Sequence, residues 1–588
     1  REMQSRYGDE AYSAGFKVIT TLDSRLQKAA VYGLRNGLLE FSRRRGYRGP
    51  ITHADVQPRI LLEPYPQWPE DLRLMLAEYS NPGGLSVAIV TKLNEDNSAA
   101  VALQDGTPLV VPWNGISWAR RYVDQSTKGP APKSVGDVLT PGDIIYVMPT
   151  TRGTWALAQV PDAQGAMVSV DPKDGGITSL AGGFDFSISK FNRVTQAARQ
   201  PGSAFKPFIY SAALEQGNTA ATILLDAPVF IRSSELERVW RPLNYTGRFY
   251  GEQRLREALV HSLNLATVRL LLDKTGVGNA VRHIEKFGFG GAALPYNGSL
   301  ALGAGNATPL DMVQGYATFA NGGYAVKPYV IDAILSAEGD VLYRADPLVV
   351  CRECEVDEDA RDARHPRAFL ETMAMENSEG SLYPEEGEER MSLEQMAEVG
   401  ESYRPDATAA PDLFSDVNVA PRIISEQNAY LIQDMMRDVI RRGTGVRAWR
   451  ELGRRDLSGK TGTSNDQRDA WFAGFNASLA AVAWVGYDDP KPLGPGEQGS
   501  RTALPLWIEF MRIALQGMAP NAMKMPEGML NVRINKRTGC PANAADSVED
   551  VMFEVFRAGH VPECEYTDDH RDIFNESGDD EEAAEPIF

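Results

Sequence analysis

Apolar residues recur at helical spacing over residues 26–39. An extended, β-branched stretch at 16–21 precedes them, and Arg43-Arg44-Arg45 ends the pattern, so the chain is predicted to open with a strand and an amphipathic helix. From about Gly46 to Asp162 the texture changes to short β-type runs at 85–91, 99–103, 108–111, 144–147 and 155–160. Gly, Pro, Asn and Asp separate them. Five such runs predict a small barrel of the OB type. Beyond Ala166, the run Met167-Val168-Ser169-Val170 and a further one reaching Gly183 read as a hairpin. Helical patterns follow at about 204–215, 254–274, 309–320 and 426–441, then strands at 469–475 and 479–486. Helices mixed with antiparallel strands indicate an α+β fold.

This divides the chain into a strand and helix at 1–48, an inserted OB-like domain at 49–162, the main domain at 163–560 and an acidic tail at 561–588. Within the main domain, 351–418 carries nineteen acidic and six basic residues with little periodicity, so it is expected to be a solvated insertion without a catalytic role. An apolar share of 43% over 588 residues supplies extensive cores, while a formal charge of -19 and the lack of any basic stretch interleaved with aromatics exclude a nucleic-acid partner. Arg1-Glu2-Met3 is neither an initiator methionine nor a signal peptide, and no run of about 18 apolar residues occurs. The chain is therefore expected to start within a longer protein.

Ser203-Ala204-Phe205-Lys206, preceded by Pro201-Gly202, places a hydroxyl and an amine three residues apart at the start of a helix, where they share a face. A neutral lysine can take the proton of such a serine. Lowering its pKa from about 10.4 to about 7 or 8 demands on the order of 3 to 4 kcal/mol from burial and positive neighbours. Ser187-Ile188-Ser189-Lys190 fits the same pattern and reads as an exposed pair. Ser262-Leu263-Asn264 lies between two helical patterns and presents two polar side chains, although alone it reads as a helix cap. Lys460-Thr461-Gly462-Thr463 precedes the strand pair from Asp469, and a strand at a sheet edge can take an extended peptide by strand addition. Gly453 and Gly459-Lys460-Thr461 mimic a phosphate loop, but the spacing is one residue too long and no apolar strand precedes it, so nucleotide binding is discounted. The six histidines serve no G-x-S-x-G elbow.

Ser-x-x-Lys, Ser-x-Asn and Lys-Thr-Gly in this order form the set found in penicillin-binding proteins and serine β-lactamases. With Arg199-Gln200-Pro201-Gly202-Ser203, Tyr316-Ala317-Thr318-Phe319, Arg442-Gly443-Thr444-Gly445 and Asp469-Ala470-Trp471-Phe472, the chain resembles a class A, bifunctional penicillin-binding protein of the 1A type from about residue 10 to about 560. The resemblance implies a serine β-lactamase/transpeptidase-like fold, an antiparallel sheet flanked by helices, and a D,D-transpeptidase that needs no cofactor or metal. Ser203 would be the nucleophile, Lys206 its base, Ser262 a proton relay, Asn264 a partner of the substrate amide and Lys460 a source of positive potential. Thr461, Gly462 and Thr463 would bind the substrate, and the amides of Ser203 and Thr463 would form the oxyanion hole.

The resemblance also implies partners: peptidoglycan stem peptides, lipid-linked precursor glycan strands and β-lactams as covalent inhibitors, while the acidic composition, rather than the resemblance, favours a regulatory protein at the OB-like domain over a glycan or an oligonucleotide. A periplasmic setting follows, with the glycosyltransferase domain and inner-membrane anchor expected only in the full-length protein. In that oxidising compartment Cys540 and Cys564 are expected to pair. Cys351-x-x-Cys354 stays open between a disulfide and half of a zinc site that lacks two ligands. The rival readings are a serine β-lactamase, a strict D,D-carboxypeptidase, and a non-catalytic β-lactam sensor.

Overall fold

Side chains alternate across a strand with a period of two, so a strand covered on both faces must be apolar at nearly every position. The strands Asp469–Asn476 and Leu479–Gly486 meet that condition, since every residue in them is buried. In a computed structural model of the chain, which describes residues 2–231, 240–290, 294–352, 354 and 418–564, they form the middle of a five-stranded antiparallel sheet. Its order is Ser458–Thr463, Asp469–Asn476, Leu479–Gly486, Gln164–Val170 and Ile177–Ala181. Trp471, Ala473, Phe475, Val482 and Trp484 point into one core, and Ala470, Phe472, Ala481, Ala483 and Val485 into the other.

The first core holds the helices Lys206–Glu215, Pro309–Asn321 and Glu426–Arg442, and the second holds Ser24–Arg45 and Ala503–Ala514. The early helix predicted to lead into the main domain is thus an integral layer of it. Asp23 caps its start by accepting from the amides of Arg25 and Leu26, and Gly37 lets it close on its neighbour, where a Cβ would fall 2.1 Å from Leu506 Cδ1. The helix Pro309–Asn321 is bounded by a Thr308/Asp311 capping box and by Gly322 in the left-handed region at φ 95°.

Before the main sheet lies a separate antiparallel sheet of short strands: Thr52–His53, Ser86–Leu93, Ala99–Leu103, Pro108–Val111, Asp143–Pro149 and Trp155–Ala158. One face packs Val90, Val101, Ile145 and Leu157 together. The other is covered by Trp68 and by the helix Glu70–Ala77, which sequence patterning did not predict. The pattern over 254–274 breaks into Leu255–Val260 and Asn264–Arg269, because Ser262 between them takes φ 58°, and the second helix widens at Leu270–Thr275.

The hairpin of Met529–Asn535 and Val551–Arg557 was also not predicted. Its buried Glu554 receives Arg256 at 2.6 Å and Arg254 at 2.9 Å, and Arg256 also reaches Asp434 at 2.7 Å. Disulfides join Cys540 to Cys564 and Cys351 to Cys354. Most of the acidic insertion (353 and 355–417) and the tail from 565 lie outside the described residues, but the insertion's ends meet where Val349 donates to the Asn418 carbonyl at 2.8 Å. Among the described residues no helix is long and apolar enough to cross a membrane, and no group of His, Cys, Asp or Glu is placed to hold a metal ion.

Candidate active site

Ser203 sits on a tight turn, Gly202–Phe205, that runs directly into the helix beginning at Lys206. Gly202 adopts φ 54°, and a Cβ there would lie 2.2 Å from the Thr463 carbonyl, so only glycine lets the serine turn lie this close to the edge strand Ser458–Thr463. Tyr316 Oη donates to the Ala204 carbonyl at 2.7 Å and Trp471 Nε1 to the Gln200 carbonyl at 2.9 Å, fixing the turn from both sides. Gly202→Ala is expected to slow acylation of the serine by about 10²-fold, the cost of displacing a reacting group by roughly an ångström. The rate of labelling by a fluorescent penicillin checks this.

Lys206 is fully buried. Its Nζ donates to the Ser262 carbonyl at 2.8 Å, the Leu263 carbonyl at 3.2 Å and Asn264 Oδ1 at 2.8 Å, and lies 3.4 Å from Ser262 Oγ. The left-handed backbone of Ser262, a conformation that costs a non-glycine residue on the order of 1–3 kcal/mol, is what brings two successive carbonyls and the hydroxyl to one amine. Lys460, equally buried in the edge strand, donates to the same Ser262 Oγ at 2.8 Å and to the Thr461 carbonyl at 3.2 Å. Two lysine amines therefore converge on one hydroxyl inside the protein.

Burial, and then the charge of Lys460, push the Lys206 amine well below the ordinary lysine value, while Asp226 opposes them. Burial alone pushes Lys460 down to about 7. Lys460 is charged below that pH and neutral above it, so affinity for a penicillin carboxylate is expected to weaken as pH rises through about 7. The acylation step itself should accelerate along the limb where Lys206 gives up its proton. Measuring the saturation constant and the limiting rate separately, from about pH 5 to about pH 9, tests both, and a flat saturation constant would remove Lys460 from carboxylate binding.

The Ser203 hydroxyl is half-buried and makes no hydrogen bond among the described residues. Beside it a cleft of about 350 Å³ is lined by Gln200, Trp240, Leu243, Asn264, Ser299 and Ser464. Along the edge strand the Thr461 hydroxyl bonds that of Thr444 at 2.7 Å, and Thr463 Oγ1 accepts from the Gly499 amide at 3.1 Å. A Cβ on Gly462 would fall 2.3 Å from the Pro201 carbonyl, so this residue serves close approach between strand and serine turn. All three motifs meet at one place. The decoy Ser187 instead bonds Asp185 in an exposed turn, Gly453 ends a helix in the left-handed region, and His261 is half-exposed beside Glu257. Thr444 and Gly499 were missed as site residues. The Arg-Gly-Thr-Gly phrase was a signal for the first, and nothing in the sequence marked the second.

Residues 47–163 match the family model described as the penicillin-binding protein OB-like domain, and 165–361 the penicillin-binding protein transpeptidase domain. Penicillin-binding protein 1A of Pseudomonas aeruginosa is 42% identical over 561 residues, 95% of this chain and 64% of its own length. That of Vibrio cholerae is 36% identical over 621 residues, covering 100% of this chain and 67% of the relative. The crystal structure of penicillin-binding protein 1A from Haemophilus influenzae superposes with a TM-score of 0.76 at 30% identity, covering 96% of this chain and 76% of that one. The chain spans about two thirds of the length of these relatives. With three motifs assembled on the sheet edge and this likeness running along nearly all of it, the chain belongs to the penicillin-binding protein 1A family.

Proposed function

We propose that this chain is a serine D,D-transpeptidase that cross-links peptidoglycan stem peptides and is acylated by β-lactams. The observation that carries the reading is the convergence of two buried lysines on Ser262, one of them, Lys206, opening the helix into which the Ser203 turn runs. Ser203 Oγ attacks the penultimate D-Ala carbonyl as Lys206 takes its proton, and the amides of Ser203 and Thr463 receive the oxyanion. The C–N bond breaks. The terminal D-Ala nitrogen leaves with a proton delivered from Lys206 through Ser262, and an acyl-serine remains. An acceptor amine then attacks that ester, giving up a proton by the reverse route, and Ser203 recovers its own. Lys460, Thr461 and Thr463 hold the terminal carboxylate, Gly462 lets the strand lie close, and Asn264 bonds the substrate amide.

A β-lactam presents the same carboxylate and a strained amide whose nitrogen stays tethered after ring opening, so its acyl-enzyme is long-lived. Incubation with a pentapeptide stem and an acceptor amine tests the reading. Release of D-Ala with a new amide supports it, whereas release with only the hydrolysed peptide assigns a carboxypeptidase.

The same proposal includes a periplasmic location, an inner-membrane anchor and a glycosyltransferase activity on lipid-linked glycan precursors in the full-length protein. These rest on the family relationship. The OB-like domain is proposed to receive a regulatory protein, supported by its self-contained core. Full response to that partner after deletion of residues 50–160 would defeat this.

A further inference from the structure

Asp226, the last residue of the strand Ile223–Asp226, is completely buried, yet among the described residues it forms no ion pair. A carboxylate taken from water without a counter-charge is costly, and such groups persist only where donors converge on them. Three do so here. The Asn244 amide reaches Oδ2 at 2.7 Å, the Tyr250 backbone N–H reaches Oδ2 at 3.0 Å, and the Ala266 N–H reaches Oδ1 at 3.3 Å. Asn244 is itself buried, and its Oδ1 accepts from the Asn264 N–H at 2.7 Å and from Leu265 N–H at 3.4 Å. Asp226 and Asn244 thus cap the helix that begins at Asn264, where no side chain of the preceding residue does so. Asn264 in turn accepts at Oδ1 from Lys206 Nζ and donates from Nδ2 to the Leu243 carbonyl. An unbroken line of hydrogen bonds runs from Asp226 through Asn244 and Asn264 to the amine of Lys206.

From this geometry we infer that Asp226 is a positioning residue for the acyl-transfer reaction, orienting through Asn244 the helix start at Asn264, whose side chain receives the Lys206 amine. The inference rests on the proposed role of Lys206 as the proton acceptor. Among the described residues the charges acting on that amine are Lys460 on the edge strand and Asp226; Tyr210, on the same helix as Lys206, has its phenol bonded to Thr267 at 3.0 Å and feels Asp226. Burial and Lys460 both disfavour a proton on Lys206, and a base weakened too far no longer takes the serine's proton. Asp226 pulls the other way.

The test is the pH profile of the limiting acylation rate with a fluorescent penicillin, for the parent, Asp226→Asn and Asn244→Ala. Loss of the negative charge makes Lys206 release its proton more readily, so Asp226→Asn is expected to shift the ascending limb to lower pH by about half a unit or more and to lower the plateau about tenfold. Asn244→Ala keeps the charge and loosens the orientation, so its plateau falls while its limb stays in place. If Asp226→Asn does not fold, Asp226→Ser, small enough for water to take the carboxylate's place, carries the same comparison. A lowered plateau with an unmoved limb, or a limb moved to higher pH, overturns the inference. Absence of acylation in the parent would instead overturn the proposed function.

Discussion

Incubated with benzylpenicillin, the protein is expected to gain the mass of one drug molecule, and Ser203→Ala none. The loss in acylation rate should be on the order of 10⁴-fold or more, the scale on which removal of a nucleophile is felt when its base and oxyanion donors remain in place. The geometry supports so large an effect because no second hydroxyl can stand in. Ser262 has its oxygen engaged by Lys460 at 2.8 Å and stands 3.4 Å from Lys206, so it is held between the two amines as a proton relay and is not free to attack. An adduct on the variant would move the nucleophile elsewhere. A parent that stays unmodified while the drug is hydrolysed would mark fast deacylation, the behaviour of a lactamase.

Glu554→Ala is expected to destabilise the main domain by about 3–5 kcal/mol, the cost of leaving buried charges without their partner. Glu554 is buried, and its two oxygens take Arg254 from one side and Arg256 from the other. Those arginines flank the start of the helix Leu255–Val260, which leads directly to Ser262. Asp434 and Asp438 also contact Arg256, so part of its charge stays balanced, but among the described residues Arg254 keeps only Glu257. A lower urea midpoint of the main-domain transition, with an unchanged slope, reads out the effect. Glu554→Gln, which preserves an acceptor, should lose less. Equal midpoints for Glu554→Ala and the parent would show that the hairpin is an ornament on the domain.

The residues that carry chemistry were legible because their types are unusual in combination. Lys206 and Ser262 are 56 positions apart, and Lys460 and Ser262 are 198 apart, yet each stands in a short motif whose chemistry makes sense only beside the others. The strands Asp469–Asn476 and Leu479–Gly486 were legible for a different reason, since burial on both faces makes a strand apolar throughout. What escaped notice lacks either signature. Asp226 and Asn244 are ordinary turn and cap residues in sequence, and only the fold turns them towards the helix at Asn264. The left-handed backbone of Ser262 is imposed by tertiary packing. The hairpin strand Met529–Asn535 buries just three of its seven positions, two of them adjacent, too faint a pattern to stand out. The helix Glu70–Ala77, with eight residues, covers barely two turns of periodicity.

The clamp between Arg256 and Glu554 also imposes an order in time. The two residues are 298 positions apart, which at 5–20 residues per second means roughly 15–60 s of synthesis between the appearance of one and of the other. Throughout most of that interval a growing chain has made its nucleophile and Ser262 but not Lys460, and the helix leading to Ser262 has no anchor. A β-lactam present at the moment of synthesis therefore finds a serine with no assembled site around it. Newly made molecules become competent and vulnerable together, once the strand that carries Lys460 joins Ser262.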